Sequence, residues 1–305
     1  MNKISTIIIG LGNVGLKYDL NKKKNIIESH YRSFLKNRRF KLKGLIDNNK
    51  LRLNFFKKII KNTPLFNSFS EIKKKVKSID LVVIATPTFS HCDTIIQTLR
   101  YYHPKIIFCE KPFCSNLNQV KKILRLCKKK KINLFVNYLR RTDSNILNLK
   151  KFLNNKKNTM KVFYSKDILI NASHFIDLST FYFGKMVDIF VEKKTSKKIS
   201  SFKIKFQNGL VVFQKVGIKN KLCNTFSIEN NEYKINQNKK YLFINSKNKK
   251  KKLRKKENLM FLNTKELCKE FRGKKSMLAI GKNALYVHEI INKINTDKSS
   301  INTIN

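Results

Sequence analysis

The chain reads as two domains: a doubly wound parallel α/β sheet first, then an α+β domain with a largely antiparallel sheet. Three observations carry this reading. Strand-like β-branched runs alternate with helical patterns over the first 138 residues. A glycine turn, Gly10-Leu11-Gly12-Asn13-Val14-Gly15, comes directly after the first of those runs. From residue 142 onward, short strand-like segments dominate. The boundary is therefore expected between 1–138 and 139–305.

Residues 4–9 form the first strand and feed the glycine turn. At this spacing Gly10 permits the tight turn, Gly12 lets the backbone approach a pyrophosphate, and Gly15 allows the next segment to pack closely. The N–H groups around Asn13 and Val14 are expected to meet phosphate charge at a helix start. Only nine glycines occur in the 305 residues, so three at this spacing carry weight. A polar loop over residues 17–27 precedes the resumption of helix near Glu28-Ser29-His30-Tyr31. Residues 40–46 read as the second strand, ending in Asp47. An acid there accepts hydrogen bonds from adenosine ribose hydroxyls and repels a 2′-phosphate, which favours NAD over NADP. The same residue can also serve simply as a turn former before Asn48-Asn49.

Residues 80–85 are a buried strand closing in Thr86-Pro87, and residues 90–101 a helix with His91 in its first turn. The apolar run before Cys109 ends in Glu110-Lys111-Pro112. Ligands of open α/β sheets bind at the carboxyl ends of strands, so Lys111 is a candidate catalytic residue. Residues 115–129 are helical, with Val120, Ile123, Leu124 and Cys127 on one face. Residues 132–136 are the next strand, leading into Asn137, Tyr138, Arg140 and Arg141.

In the second half, strands are expected at 161–164, 187–191, 202–206, 210–216, 225–228 and 241–244. A helix containing Asn171, His174 and Asp177 lies between the first two. His174 and Asp177, three apart, share a helix face, so the carboxylate can orient the ring or stand as a surface charge. Residues 247–256 read as a solvated hairpin end and 284–294 as a closing helix.

Composition narrows the function classes. The formal charge is +48, yet only 10 of the 67 basic residues are Arg, whereas base-reading and bidentate phosphate sites favour Arg. Lys, Asn, Ile and Phe are over-used while Gly, Pro and Trp are scarce, the signature of a base-biased genome. The excess charge is expected to be a solvated face, with no specific nucleic-acid partner. The six cysteines show no metal-ligand spacing, so no metal site is expected and reduced thiols are. No apolar segment approaches bilayer length and no secretory leader is recognisable, so a cytoplasmic protein is expected.

The glycine loop, Asp47, Ala85-Thr86-Pro87 with His91, Glu110-Lys111-Pro112, and Val136-Asn137-Tyr138 with Arg141 succeed one another in an order that resembles the Gfo/Idh/MocA oxidoreductases. That family is named for glucose–fructose oxidoreductase and inositol dehydrogenase. Even the loop from Gly15 through Tyr18 and Asp19 to His30 is similar to a bacterial subgroup. The resemblance implies a Rossmann-type NAD domain and a sugar, sugar-nucleotide or cyclitol substrate in a homo-oligomer. It implies cofactor contacts by Gly10, Gly12, Asn13, Val14, Gly15, Asp47, Thr86, Pro87, His91, Glu110 and Lys111. It implies substrate contacts by Asn137, Tyr138, Arg141 and Asn171, and catalysis by Lys111 and His174 with Asp177 beside them. Two positions depart from the pattern: Ile170 stands where many members carry Asp, and Asp167 where one branch carries Gly. These departures leave room for a catalytically impaired nucleotide-binding regulator, and the same fold also admits an NAD-assisted glycosidase or lyase.

Overall fold

The computed structural model describes residues 2–23, 25–153, 157–195, 198–238 and 240–296. It divides into two compact units, one of Met1–Thr142 with Asn258–Leu285 and one of Asp143–Glu257 with Tyr286–Asn305.

The first unit runs β1 (Ile4–Ile9), α1 (His30–Lys36), β2 (Phe40–Ile46), α2 (Lys50–Ile59), β3 (Leu65–Phe66), α3 (Phe69–Lys75), β4 (Leu81–Ile84), α4 (His91–Tyr101), β5 (Ile106–Cys109), α5 (Leu117–Lys129) and β6 (Asn133–Val136). The strands lie side by side as β3-β2-β1-β4-β5-β6, all parallel. That is the doubly wound order whose direction reverses between β1 and β4, where such sheets bind ligands. Every residue of β4 and β5 is buried, as expected for parallel strands covered on both faces. Helix starts are fixed locally by side chains that satisfy otherwise orphan N–H groups. Ser29 accepts from Arg32 N–H, Asn49 from Arg52 N–H and Asn116 from Gln119 N–H.

The second unit runs α6 (Ser144–Asn148), β7 (Asn158–Tyr164), α7 (Ser173–Phe183), β8 (Met186–Thr195), β9 (Lys198–Phe206), β10 (Gly209–Lys215), β11 (Thr225–Glu229), β12 (Lys234–Gln237), β13 (Tyr241–Asn245) and β14 (Lys250–Arg254). Its sheet has the order β14-β13-β12-β11-β7-β10-β9-β8, antiparallel except for the β7–β10 pair. Lysine-rich β14 is an edge strand of a hairpin with β13, and its charges blunt that edge against further pairing.

The chain then closes with α8 (Leu259–Glu270), β15 (Ala279–Ile280) and α9 (Gly281–Thr296). A single cut at 138/139 leaves out this return. Asn258–Leu285 goes back to the first unit, where β15 pairs antiparallel with β6 and α8 bonds to the segment after α1 through Asn37 and Thr264. Among the described residues, no helix is long and apolar enough to cross a membrane.

Candidate functional site

The glycine turn has the tightest steric constraints in the first unit. Gly10 has φ +91°, and a Cβ built on it would lie 2.6 Å from Ala85 C and O and Thr86 N. One on Gly15 would lie 2.0 Å from Gly10 O. At Gly12 the opposite holds: nothing lies within 4 Å of that position. The backbone is thus bare toward open space at the one glycine where a diphosphate is expected to approach.

The turn does not run straight into a long helix. Leu16 and Lys17 N–H groups return to Gly12 O, and the chain then leaves through residues 17–29. It comes back so that His30 N–H bonds Val14 O at 2.9 Å and Tyr31 N–H bonds Gly15 O at 3.0 Å. Asp19, only 3% exposed, staples the excursion shut. Its carboxylate accepts from Glu28 N–H (2.9 Å), Ser29 N–H (2.8 Å) and Ser29 Oγ (2.6 Å). The expectation of a polar loop holds for its composition, but its anchor is a buried carboxylate.

Asp47 ends β2 and is buried. Its Oδ2 takes Leu11 N–H at 2.7 Å and the Arg52 guanidinium at 2.8 Å, while Oδ1 takes Asn49 N–H at 2.9 Å. The acid thereby ties the glycine turn to the end of the second strand. Sequence reasoning did not single out Arg52; its place in the first turn of α2, five residues after Asp47, was the available signal.

At the end of β4, the Thr86 hydroxyl is buried with no hydrogen-bond partner, and Pro87 is exposed. His91 is 1% exposed. Its Nδ1 lies 3.0 Å from both Pro112 O and Phe113 O, and its Nε2 lies 2.8 Å from Thr86 O. In this structure the imidazole clasps the end of β4 to the turn after β5 through backbone carbonyls.

Glu110 and Lys111 come immediately after β5. Glu110 Oε1 lies 2.7 Å from His30 Nε2 and 2.6 Å from Asn137 Nδ2. Asn137 Oδ1 in turn accepts from Asn263 on α8 at 2.8 Å. Four side chains from α1, the end of β5, the end of β6 and α8 thus make one buried polar network. Burial by itself would raise the Glu110 pKa. The hydrogen bond and charge of His30, the Asn137 amide and the Lys111 charge outweigh it, and the carboxyl is held below its ordinary value. Lys111 is half-buried, its N–H 3.3 Å from Glu110 Oε2. Asn137, expected at the substrate, has its amide engaged within this network. Tyr138 and Arg141 are buried beside it in sequence, with Arg141 N–H on Tyr138 O. His30 was visible in the sequence only as the end of the loop. Its position directly after the helix-capping Ser29 gave no hint of a glutamate 80 residues away.

The second unit holds the remaining candidates. The expected helix around His174 opens as a π turn over Ile168–Ala172 and becomes α7 at Ser173. Such π segments are wider than an α-helix and are frequent at functional sites. Asp167, in extended backbone, caps the turn through Ile170 N–H at 2.6 Å, and the left-handed residue is Lys166 with φ +60°. That left-handed position, Lys166, lies one residue before Asp167. Asn171 Oδ1 accepts from Ser165 N–H at 2.9 Å, so its carbonyl pins the exit of β7. His174 is half-buried and Asp177 fully buried on α7.

Residues 4–138 match the family model described as an oxidoreductase family with an NAD-binding Rossmann fold. An inositol 2-dehydrogenase of Rhizobium meliloti (strain 1021) is 38% identical over 73 residues, which is 24% of this chain and 22% of that protein. The match thus spans about a fifth of the relative's length. Among solved structures, UDP-N-acetylglucosamine 3-dehydrogenase from Acidithiobacillus ferrooxidans superposes with a TM-score of 0.78 at 15% identity, over 96% of this chain and 97% of that one. An oxidoreductase from Agrobacterium radiobacter in complex with NAD+, L-tartaric acid and magnesium gives 0.76 at 13% identity, over 96% of both chains. At these identities the superpositions establish the two-domain fold.

Proposed function

From the match of residues 4–138 to the model of an oxidoreductase family with an NAD-binding Rossmann fold, we propose that this protein is an NAD-dependent dehydrogenase of the Gfo/Idh/MocA type. Its substrate is a sugar, sugar nucleotide or cyclitol, oxidised at a hydroxyl carbon. The observation that carries the reading is the cradle at the β1–β4 reversal: bare space over Gly12, Asp47 at the next strand end, and the orphan hydroxyl of Thr86. These residues fit a dinucleotide. Bound NAD+ supplies the hydride acceptor.

The chain's own residues do the rest. Backbone N–H groups of Gly12, Asn13 and Val14 meet the pyrophosphate charge, which a side chain at Gly12 would exclude. Asp47 Oδ1, which carries one hydrogen bond from Asn49 N–H, has acceptor capacity left for a ribose hydroxyl. The Thr86 hydroxyl bonds the cofactor where it otherwise has no partner. Lys111, on the turn held by the His30–Glu110 network, orients the substrate oxygen, and His174 accepts the hydroxyl proton near neutral pH. Asp177 steadies the His174 helix face.

Isothermal titration calorimetry with NAD(H) and NADP(H) tests the cofactor assignment. Tighter binding of NAD(H) is expected. Equal or tighter NADP(H) binding would mean that Arg52 leaves Asp47 to meet a 2′-phosphate, and would overturn the preference. A panel of sugars, sugar nucleotides and cyclitols followed by NADH absorbance then reads the substrate class. Net NADH production distinguishes dehydrogenation from chemistry in which the hydride is returned.

A further inference from the structure

Two buried thiols outside the proposed chemistry lie against each other. The Sγ atoms of Cys92 and Cys114 are 3.2 Å apart, 22 positions apart in sequence. Cys92 sits in the first turn of α4 and is 6% exposed; Cys114, in the segment between β5 and α5, is 0% exposed. Their backbones are fixed by their neighbours. His91, one residue before Cys92, bonds the carbonyls of Pro112 and Phe113, the two residues before Cys114. The same imidazole also holds Thr86 O. The sulfurs are therefore juxtaposed by a clasp that does not depend on them.

We propose that Cys92 and Cys114 are a reversible modification site, a dithiol that a peroxide oxidises to a disulfide across the turn bearing Lys111. The two thiols are not equivalent. A hydrogen bond from Cys114 lowers the Cys92 pKa, against burial and the Asp93 charge and with help from Lys122. The hydrogen bond to Cys92 and burial push Cys114 up. Cys92 is thus the attacking sulfur, since the thiolate is the nucleophile. Its attack on one peroxide oxygen breaks the O–O bond and gives a Cys92 sulfenic acid and hydroxide, which takes up a proton to become water. Cys114 sulfur then displaces the sulfenic oxygen, which leaves as a second water carrying the Cys114 proton. Two thiols lose two electrons, and hydrogen peroxide becomes two waters. A dithiol reductant restores the pair by exchange. The ring so closed contains α4, β5 and Glu110-Lys111-Pro112, so oxidation fastens the lysine's turn to the start of α4.

The test uses the full chain treated with hydrogen peroxide, quenched, unfolded, alkylated and mapped by mass spectrometry without reduction. The expected product is a cross-linked peptide pair holding Cys92 and Cys114, two hydrogen masses lighter than the thiols and reopened by dithiothreitol. In Cys114→Ser, Cys92 should be trapped by dimedone as the sulfenic acid, at least ~10 times faster than Cys127 reacts, as expected for the more thiolate-like sulfur. In Cys92→Ser, Cys114 should stay alkylatable at the same dose. If wild-type protein forms no bond under these conditions, or links either sulfur to Cys109 or Cys127 instead, the assignment is overturned. The wild-type map decides the matter even if either serine variant fails to fold.

Discussion

Nε2 of His30 lies 2.7 Å from Oε1 of Glu110, and both side chains are buried. The residue that ends the excursion after the glycine turn thus touches the residue before the candidate catalytic lysine. This contact makes Glu110 the group whose ionisation reports on the site's foundation.

The folded-state pKa of Glu110 lies below its ordinary 4.5, despite the raising effect of burial, because His30, Asn137 and Lys111 favour the anion. A depressed carboxyl contributes stability that is present above the unfolded value and lost as pH falls through the folded one. The stability advantage of wild type over Glu110→Gln should therefore be largest near neutrality and shrink below about pH 4.5. Urea unfolding at a series of pH values measures this. A difference independent of pH would show that the anion is not what the network stabilises.

Gly10 and Gly12 should part company on replacement by alanine. At Gly10 the added Cβ meets backbone 2.6 Å away in a left-handed conformation, so Gly10→Ala should lower the melting temperature. At Gly12 the added Cβ meets nothing within 4 Å, so Gly12→Ala should melt as wild type does yet bind NAD at least ~10-fold more weakly. Calorimetry of folding and of NAD binding separates the two. Unchanged NAD affinity in Gly12→Ala would place the diphosphate elsewhere.

Lys111→Met and His174→Asn should leave NAD affinity within several-fold of wild type and lower turnover by at least ~10²-fold, the usual contribution of a general acid–base group. Asp177→Asn should be milder. Steady-state NADH production on any substrate found for the wild type reads this. Wild-type turnover in Lys111→Met would make the end of β5 a structural feature only.

The positive charge should prove uncommitted. Fluorescence anisotropy with duplex DNA should show weak binding, blind to sequence, that disappears near about 0.15 M salt as counterion release predicts. Tight binding that survives there would assign the +48 formal charge to a nucleic-acid partner.

Much of the first unit was legible because its parallel strands are buried on both faces and read as unbroken apolar runs, Leu81–Ile84 above all. The stretch from Lys50 to Lys75 was not, since α2 and α3 are lysine-rich and β3 has only two residues. The return of α8 and β15 to the first sheet was hidden for a different reason: pairing of β15 with β6 is a tertiary choice that no local pattern records. At the site, residue types and order could be read, but partners could not. His91 reads as a cofactor contact in the sequence, and in the fold its ring clasps three backbone carbonyls. Asp19 sits near a run of lysines that suggests solvent, yet it is one of the most buried carboxylates in the unit. Long-range polar pairing leaves no periodicity behind it, so only coordinates reveal it.

Helix α1 opens by hydrogen-bonding back across a gap, His30 to Val14 and Tyr31 to Gly15, in the manner of successive residues of a single helix. The intervening segment therefore leaves the glycine turn and returns to it at the first residues of α1. Asp19 and Ser29 meet at its neck, the Arg32 guanidinium gathers the carbonyls of Lys22, Lys23 and Ile26, and Asn258 holds Ile27 N–H and Asn25 O, so the segment is pinned along its length as well as at its ends. For protein engineering, that makes the segment a poor port for a graft: a peptide spliced between Asp19 and Ser29 would have to leave Arg32 its three carbonyls and Asn258 its two backbone partners.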